Sequence, residues 1–425
     1  MENTLALGGH RIGPPQPCAR QPGLVRLNRR TVCLGWILSL VLGLLAQAQP
    51  ASGITLLWDP SSGSNIAGYR LYYGTLSGTY AQIVDVGNVT SFTVDDLLHG
   101  RTYYFVVTAY DDTGAESGPS NEVAFSLGST IKDFDGDDQS DLLLENTTTG
   151  QRAIWLTNNG NLEGVTNLPT VSTNWHIAGI GDFLGNGQPD LVWENTATGQ
   201  HMIWILDGSM YAYTIGLPSI HPQWHVSGIA GIAGNSQKNV IFENTSTGRH
   251  ITWVIKNGVY AYTIGLPTVG TRWHIAGVAN FQRNGQAHAL LENTVTGQHV
   301  LWVLNNGAYG STIALPAVNP HWRVAGVADF LGNGQTDIVL ENTVNGQHVL
   351  WILNNGSYAY TTVLPTINAH WKMAGTGDFL GNGQQGIVLQ NIVTGHCNIW
   401  ILNSGAYAYT TVLPTVSTDW HIVEH

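Results

Sequence analysis

Tryptophan recurs every 49 residues through the carboxy-terminal two thirds of the chain, and this period limits the possible folds more than any other feature. One series runs from Trp155 to Trp400 and a second from Trp175 to Trp420, each with six members and no insertion. Twelve of the 15 tryptophans belong to these two series. Such strict self-similarity predicts a repeat architecture in which each unit buries its apolar face against its neighbours.

Each repeat contains four apolar stretches separated by turns. The unit that begins at Trp322 shows the pattern, with turns at 332–334, 342–346 and 354–356. Short apolar stretches between glycine-rich and asparagine-rich turns predict β-strands. Four strands in a repeat of this length are typical of a β-propeller blade.

The end of the chain predicts how the propeller closes. Residues 132–425 hold six complete repeats, and the last segment, 420–425, has the register of an innermost strand. Residues 126–131 match that strand poorly. We therefore predict that the carboxy-terminal segment supplies the inner strand of the first blade and closes a six-bladed ring, which hides sheet edges. The alternative is an open or seven-bladed arrangement in which the linker forms its own inner strand.

The composition agrees with an all-β fold. The chain has 51 glycines, and only 10% of its residues are charged. A disordered chain needs more charge and fewer aromatic residues, and a long helical protein needs far less glycine. These classes are therefore excluded.

Residues 53–127 precede the repeats and predict a small β-sandwich, because short β-branched and aromatic stretches alternate with turns. The segments 57–61 (LWDPS), 69–73 (YRLYY) and 114–123 (GAESGPSNEV) resemble a fibronectin type III domain of the bacterial sort. The resemblance implies that Trp58 lies in the core. Because a fold does not by itself give a function, we expect the domain to act as a spacer. Residues 128–131 are the predicted linker.

The first 48 residues predict a secretory signal peptide. Arg26, Arg29 and Arg30 precede an apolar run at 32–45, and Ala-Gln-Ala at 46–48 has the form of a signal peptidase site. The run is shorter than the ~20 residues that span a bilayer. We therefore expect a secreted or periplasmic protein whose mature chain does not insert into a membrane.

The net charge limits the classes of partner that the chain can bind, and the cysteine count limits its disulfide bonds. The formal net charge is −12, and removal of the basic leader makes the mature chain more acidic. An acidic surface repels phosphate backbones, so we predict no nucleic-acid partner. Cys397 is the one cysteine that follows the leader, so no intrachain disulfide is expected.

The segment 181–195 (GDFLGNGQPDLVWEN) and its five counterparts resemble the FG-GAP and VCBS-type propeller repeats of secreted bacterial proteins. The likeness covers about two thirds of the chain. It implies ligand binding rather than chemistry, with lectins and adhesion proteins prominent among such repeats.

The first repeat carries the sequence DFDGDDQSD at 133–141, whose spacing resembles the calcium loop of that family. The resemblance implies side-chain ligation by Asp133, Asp135, Asp137 and Asp141, with the Gln139 carbonyl as a backbone ligand. Carboxylates crowded into nine residues repel one another without a cation, and Ca²⁺ prefers six to eight oxygen ligands. The alternative is a solvated acidic turn.

The other five repeats depart from this pattern. Three have leucine at the third loop position, and two begin without aspartate, at Gly231 and Asn280. We therefore expect one calcium ion rather than six. The three leucines are Leu184, Leu331 and Leu380.

Two sets of repeated residues are candidates for ligand binding. Tyrosines alternate with alanine on the predicted outer strand, where their rings could stack on sugars or on a protein. The tyrosines are Tyr211, Tyr213, Tyr260, Tyr262, Tyr358, Tyr360, Tyr407 and Tyr409. A glutamate precedes the Asn-Thr turn at Glu194, Glu243, Glu292 and Glu341, and also at Glu145.

The glutamates have an alternative role. Each could form a structural ion pair with the residue that follows a second-series tryptophan, because buried polar groups must be satisfied. Those partners are His176, His225, His274, Arg323, Lys372 and His421.

Loops of equal length in every repeat leave no inserted segment that could build a convergent catalytic site. We therefore predict a non-catalytic, multivalent carbohydrate-binding or adhesion module whose partner is a glycan or a cell-surface protein. A structural or protein-docking propeller is the alternative. A polysaccharide-processing enzyme is a further one and requires a carboxylate pair across the central channel.

Overall fold

The computed structural model describes residues 25–28, 54–61, 63, 65–75, 77–94, 97, 102–126, 132–231 and 238–423. Most of the predicted signal peptide and all of the predicted linker lie outside these ranges. Among the described residues, no helix has the length and apolar character needed to cross a membrane. The chain divides into two compact units, Met1–Gly128 and Ser129–His425.

The first unit is a two-sheet sandwich, in agreement with the sequence. Its strands are β1 (Val25–Asn28), β2 (Ile54–Trp58), β3 (Ile66–Gly74), β4 (Gln82–Gly87), β5 (Ser91–Val94), β6 (Thr102–Asp111) and β7 (Val123–Ser126). The sheet orders are β1-β2-β5 and β4-β3-β6-β7. Buried positions alternate along β2, and Trp58 lies in the same apolar core as Leu56 and Leu71.

The strand β1 belongs to the segment that the sequence predicts to be a signal peptide. It pairs antiparallel with β2, with Val25 opposite Trp58.

The second unit consists of six four-stranded antiparallel sheets. Its first three strands are β8 (Leu142–Asn146), β9 (Arg152–Asn158) and β10 (Asn161–Leu168). Blade 2 contains β11 (Trp175–Gly181), β12 (Asp190–Asn195), β13 (Gln200–Asp207) and β14 (Met210–Leu217). Blade 3 contains β15 (Trp224–Gly231), β16 (Lys238–Asn244), β17 (Arg249–Lys256) and β18 (Val259–Leu266). Blade 4 contains β19 (Trp273–Ala279), β20 (His288–Asn293), β21 (His299–Asn305) and β22 (Ala308–Leu315).

The remaining strands form blades 5 and 6 and complete blade 1. Blade 5 contains β23 (Trp322–Ala328), β24 (Asp337–Asn342), β25 (His348–Asn354) and β26 (Ser357–Val363). Blade 6 contains β27 (Trp371–Gly377), β28 (Gly386–Asn391), β29 (Cys397–Asn403) and β30 (Ala406–Leu413). The last strand is β31 (Trp420–Ile422), and blade 1 has the order β10-β9-β8-β31.

The carboxy-terminal strand closes the ring, as the sequence predicted. Trp420 lies opposite Asn146, and Ile422 lies opposite Leu144, in an antiparallel pairing of β31 with β8. Val423 extends it by donating its backbone N–H to the Leu143 carbonyl at 2.8 Å. The outer strand β10 contacts both β14 and β30. The propeller is therefore six-bladed, and its first sheet contains both the beginning and the end of the repeat region.

Six apolar cores lie between neighbouring blades, one at each junction. The second strands β12, β20, β24 and β28 are buried along their whole length, because a neighbouring blade packs against each face of the sheet. The first-series tryptophans are only 3–8% exposed. They therefore pack the blade junctions and do not present their rings to solvent.

A tight turn between the second and third strands repeats in every blade. In blade 2 the N–H of Gly199 donates to the Asn195 carbonyl at 2.8 Å, and the N–H of Ile220 donates to the Gly199 carbonyl at 2.9 Å. Gly199 has φ +69°, and a Cβ there would lie 1.7 Å from the Ile220 carbonyl oxygen. Only glycine fits both the left-handed backbone and this close approach.

Candidate functional site

The loop before β8 brings three carboxylates together. One carboxylate oxygen from each of Asp133, Asp135 and Asp141 lies within 4.8 Å of the others, and we call these three residues the acidic cluster. The loop folds around Asp133, which accepts backbone N–H groups from Gly136 at 2.6 Å and from Asp138 at 3.0 Å. A buried group of oxygens at this spacing could hold a metal ion.

Burial makes the acidic cluster costly to ionise without a counter-charge. It raises the pKa of Asp141 to about 8 and that of Asp133 to about 6, and the charge of Asp135 adds to both effects. A bound cation would offset the lost hydration and the mutual repulsion of these carboxylates. The cluster therefore has the chemistry of a hard-cation site.

Asp141 also has a role that needs no cation. Its carboxylate accepts the backbone N–H groups of Phe134 and Thr157, each at 2.8 Å, and so ties the loop to the third strand of the blade. Asp190 does the same in blade 2, where it accepts from Phe183 at 3.0 Å and Leu206 at 3.3 Å. A carboxylate at this position is therefore part of the blade framework.

Asp137 and Gln139 bond to each other instead of joining the acidic cluster. The Asp137 carboxylate accepts the backbone N–H of Gln139 at 2.8 Å and its side-chain amide at 2.9 Å. Burial raises the pKa of Asp137 to about 6. The structure thus brings together three of the four predicted carboxylate ligands, with Asp137 turned toward Gln139.

The loops of the other blades differ in the way that their sequences indicate. In blade 2, Asp182 accepts N–H groups from Gly185 at 2.6 Å and Gly187 at 2.9 Å, so it organises the loop as Asp133 does in blade 1. The third-position leucines Leu184, Leu331 and Leu380 pack against the blade-junction cores. Among the described loops, only the first brings three such carboxylates together.

The repeated glutamates connect neighbouring blades. Glu194 lies on the second strand of blade 2, and its carboxylate meets His225 Nδ1 of blade 3 at 2.6 Å and accepts the Val226 N–H at 2.9 Å. The equivalent pairs are Glu145–His176 (2.8 Å), Glu243–His274 (2.6 Å), Glu292–Arg323 (3.4 Å) and Glu341–Lys372 (2.6 Å). The five glutamates are 4–5% exposed, so their carboxylates face the blade junction and not solvent.

A buried histidine lies behind each of three of these glutamates. His201 Nε2 is 4.0 Å from Glu194 Oε2, and its ring packs edge-on against Trp253 of the next blade at 5.6 Å. Burial lowers the pKa of His201 to about 4, so the ring is neutral at pH 7. In blade 1 Arg152 takes this place, with Nε 3.1 Å from the Glu145 carboxylate.

The predicted tyrosines form two rows with different surroundings. In the inner row, Tyr211 packs edge-on against Trp204 at 4.8 Å, and its hydroxyl bonds to Thr214 at 3.1 Å. Tyr260, Tyr358 and Tyr407 repeat these contacts. The outer row is about half exposed: Tyr213 49%, Tyr262 50%, Tyr360 51% and Tyr409 49%.

The sequence interpretation missed one member of the inner row. Tyr309 of blade 4 packs against Trp302 at 5.9 Å and bonds to Thr312 at 3.0 Å. The 49-residue spacing from Tyr260 was the signal that would have found it. Blade 4 has Ser311 at the outer-row position, so its rim lacks the second ring.

Comparison with known proteins matches the first unit to a family. The profile of the fibronectin type III domain matches residues 41–126, so this part of the chain is such a domain. The Kelch domain-containing protein SSO1033 of Saccharolobus solfataricus is 42% identical over 76 residues, which is 18% of this chain. The chain covers 10% of the length of that protein.

Solved structures resemble the chain only remotely. A putative 6-phosphogluconolactonase from Bacteroides uniformis has 13% identity and a TM-score of 0.43, and the match covers 84% of this chain and 99% of that one. The Tc holotoxin pore of Photorhabdus luminescens has 16% identity and a TM-score of 0.40, with 82% of this chain and 19% of that one covered. The dihydro-heme d1 dehydrogenase NirN has 11% identity and a TM-score of 0.37, with coverage of 82% and 74%.

Proposed function

We propose that the protein is a secreted, non-catalytic binding protein of the FG-GAP and VCBS type whose propeller binds glycans through its outer strands. The observation that carries this proposal is the outer tyrosine row, which places one half-exposed ring at the same position of blades 2, 3, 5 and 6. Tyrosine combines an apolar ring face with a polar hydroxyl, and this combination suits stacking on a sugar.

The neighbouring inner row supports the outer one. Tyr211 is fixed by its contacts with Trp204 and Thr214, so the strand that carries Tyr213 has a rigid backing. A preformed aromatic surface loses little conformational freedom when it binds a ligand. Four equivalent sites on one ring would also gain strength from effective concentration when a glycan surface presents many copies.

A glycan array with calcium present tests this proposal. We expect the wild-type chain to bind a subset of neutral, acidic or amino sugars. A variant with Tyr213, Tyr262, Tyr360 and Tyr409 changed to alanine should lose that binding, because each site loses its stacking surface. The matched control changes the same four tyrosines to phenylalanine, which keeps the ring, and should retain most of the binding.

Two results would contradict the glycan proposal. One is silence of the wild-type chain across the whole array. The other is binding by the alanine variant that equals that of the wild type.

We also propose that the acidic cluster binds one Ca²⁺ ion. Asp133, Asp135 and Asp141 would supply carboxylate oxygens, and calcium accepts such ligands in flexible geometry. The ion would neutralise carboxylates that burial and mutual repulsion hold partly protonated near neutral pH. Its role would be to stiffen the first loop of the ring.

Calorimetric titration and thermal unfolding test the calcium proposal. The wild-type chain should bind one equivalent of Ca²⁺ and melt at a higher temperature with calcium than with chelator. The double variant D133N/D135N should lose both effects. The control D182N removes the equivalent loop aspartate of blade 2 and should keep them; no bound calcium in the wild type, with no thermal shift, would refute the site.

Docking of a protein is the second candidate function. Two outer-strand valines, Val363 of blade 5 and Val412 of blade 6, are 76% and 74% exposed at equivalent positions. Apolar side chains on a sheet edge favour strand-to-strand contacts with a partner. A silent glycan array, together with a complex that V363K/V412K abolishes, would favour this function.

A further inference from the structure

The inner strands of the propeller surround a central channel of about 780 Å³. This volume falls in the range of pockets that hold small molecules, about 300–1,000 Å³. Much of the wall is small or aliphatic, with Gly228, Gly277 and Gly326 at equivalent positions of three inner strands. These stretches of the wall suit the apolar face of a compact ligand.

One repeat position, just before or at the start of the second strand, supplies four of the ten polar side chains that line the channel. It is occupied by Ser140, Lys238, Ala287, Thr336 and Gln385 in five of the six blades that line the cavity. Because equivalent positions lie at equivalent heights in a ring of repeats, these side chains form one level of the channel. Lys238 is the charged member of this level.

The described residues around Lys238 leave space for its side chain, and none of them forms a salt bridge with its ammonium group. A Cβ at Gly181 of blade 2 would lie 2.8 Å from Lys238 Cγ, so the glycine makes space for the lysine stem. Within the described part of the chain, the ammonium has no salt bridge or hydrogen bond, and Asp182 is the carboxylate that acts on it from a distance. Burial lowers the pKa of Lys238, because its ammonium has lost water without gaining a counter-ion.

The other charges of the channel do not cancel this one. Lys132 adds a second ammonium and donates to the Thr376 carbonyl at 3.4 Å. Asp329 also lines the channel, but its carboxylate accepts N–H groups from Asn333 at 3.1 Å and Gly334 at 2.5 Å in its own loop. Burial raises the pKa of Asp329. The channel is thus a positive region inside an acidic protein.

We propose that the central channel binds a small hydroxylated carboxylate, such as a sugar acid, with Lys238 as the partner of the carboxylate. Lysine provides a compact charge with three donors. The Thr336 hydroxyl donates to the Asn280 carbonyl at 3.3 Å and can still accept from a ligand hydroxyl, and Gln385 on the same level offers its amide. The site is separate from the tyrosine rows and independent of the function proposed for them.

Isothermal titration of the full chain with D-glucuronate, D-glucose and inorganic sulfate tests this site. We expect glucuronate to bind at least about tenfold more tightly than glucose, since a charge-assisted hydrogen bond contributes about 1.5–3 kcal/mol. It should also bind more tightly than sulfate, which has no hydroxyl groups for Thr336 and Gln385 to contact. The variant K238M keeps the apolar stem and should weaken glucuronate binding at least about tenfold. The control R272M removes an exposed positive charge that does not line the channel and should bind as the wild type does.

Thermal unfolding shows whether the variant is folded. K238M should melt no lower than the wild type without ligand, because it removes a half-buried charge that no group among the described residues pairs. If K238M fails to fold, K238Q provides the same comparison.

Three results would overturn the proposal: equal affinity for glucose and glucuronate, unchanged glucuronate binding by the lysine variant, or no wild-type binding at millimolar glucuronate. Sulfate binding as tight as glucuronate binding would overturn the choice of a hydroxylated ligand.

Discussion

At the scale of single residues, blade 6 shows which contact of the repeated glutamate is kept when another residue replaces it. Gln390 replaces the glutamate there, accepting the Ile422 N–H at 3.1 Å and donating to the Trp420 carbonyl at 2.6 Å. The contact that every blade keeps is the one to the backbone of the next inner strand. The cationic side chain is the part that varies.

This comparison predicts different results for two changes at Glu194. E194Q keeps the acceptor for the Val226 N–H and should lower the free energy of unfolding by about 1 kcal/mol or less. E194A leaves His225 and that N–H without their partner and should cost about 3 kcal/mol. Urea unfolding measures both; equal losses for the two variants would show that the backbone acceptor is not what stabilises the junction.

Buried His201 predicts a loss of stability in acid. Its pKa is lowered from 6.5 to about 4, so the folded state stays neutral while the unfolded state takes up a proton as the pH falls below about 6.5. Stability is therefore lost between about pH 6.5 and pH 4. H201C introduces the residue that blade 6 has at this position, Cys397, and should reduce that loss by up to about 3 kcal/mol.

Chemical unfolding at a series of pH values checks this. The quantity to compare is the slope of the free energy of unfolding against pH. The absolute values do not serve, because the smaller cysteine lowers the stability at every pH. An unchanged slope in H201C would mean that His201 is not the group that titrates.

The sequence predicted the ion-pair partners but not their geometry. The 49-residue spacing predicted that the repeated glutamates pair with the residues after the second-series tryptophans, while the structure shows that the pair Glu194–His225 spans two blades. The orientation of Asp137 toward Gln139 could not be predicted either, because it depends on how the loop closes around Asp133.

At the scale of elements, the turn from Asn195 to Gly199 is the least tolerant part of a blade. G199A should lower the free energy of unfolding by at least about 2 kcal/mol, because the new methyl group collides with the Ile220 carbonyl and the backbone is left-handed. The control G216A lies in open space on β14 and should be neutral or stabilising by up to about 1 kcal/mol. Thermal unfolding of both variants decides this; a stable G199A would mean that the turn can adopt another conformation.

Strands and turns were predictable from the sequence, whereas the bulges were not. Alternating apolar residues and Gly or Asn turns indicated four strands in each repeat. The register of the first strand of blade 2 shifts between Ile177 and Gly179. At Gly179 a Cβ would lie 2.4 Å from Ile229 of the next blade. A contact between blades is not visible in the local pattern that predicts a strand.

At the scale of the whole molecule, stability depends on the pairing of β31 with β8. A chain that stops after Pro414 should melt several degrees lower and aggregate, because β8 becomes an open sheet edge. A synthetic peptide of residues 415–425 should restore the wild-type melting temperature by supplying the missing strand. Removal of residues 424–425 alone is the control and should have little effect.

Light scattering and thermal unfolding measure the truncation. A soluble truncated chain with the wild-type melting temperature would show that the sixth junction is dispensable. The closure itself was predictable, because six repeats end in the phase where the first begins. The positive channel was not, since Lys238 occupies a position that the other blades fill with Ser, Pro, Ala, Thr or Gln.

Because the two ends of the propeller lie in one sheet, the fold does not require any particular blade to come first in the chain. Ile422 pairs with Leu144, and the Lys132 carbonyl accepts the N–H of Asp141, so both ends of the propeller lie along the same edge of β8. A covalent link between them, with new termini opened in an exposed turn of another blade, would preserve every strand pairing. Circular permutation would therefore change the order of synthesis and leave the folded ring the same.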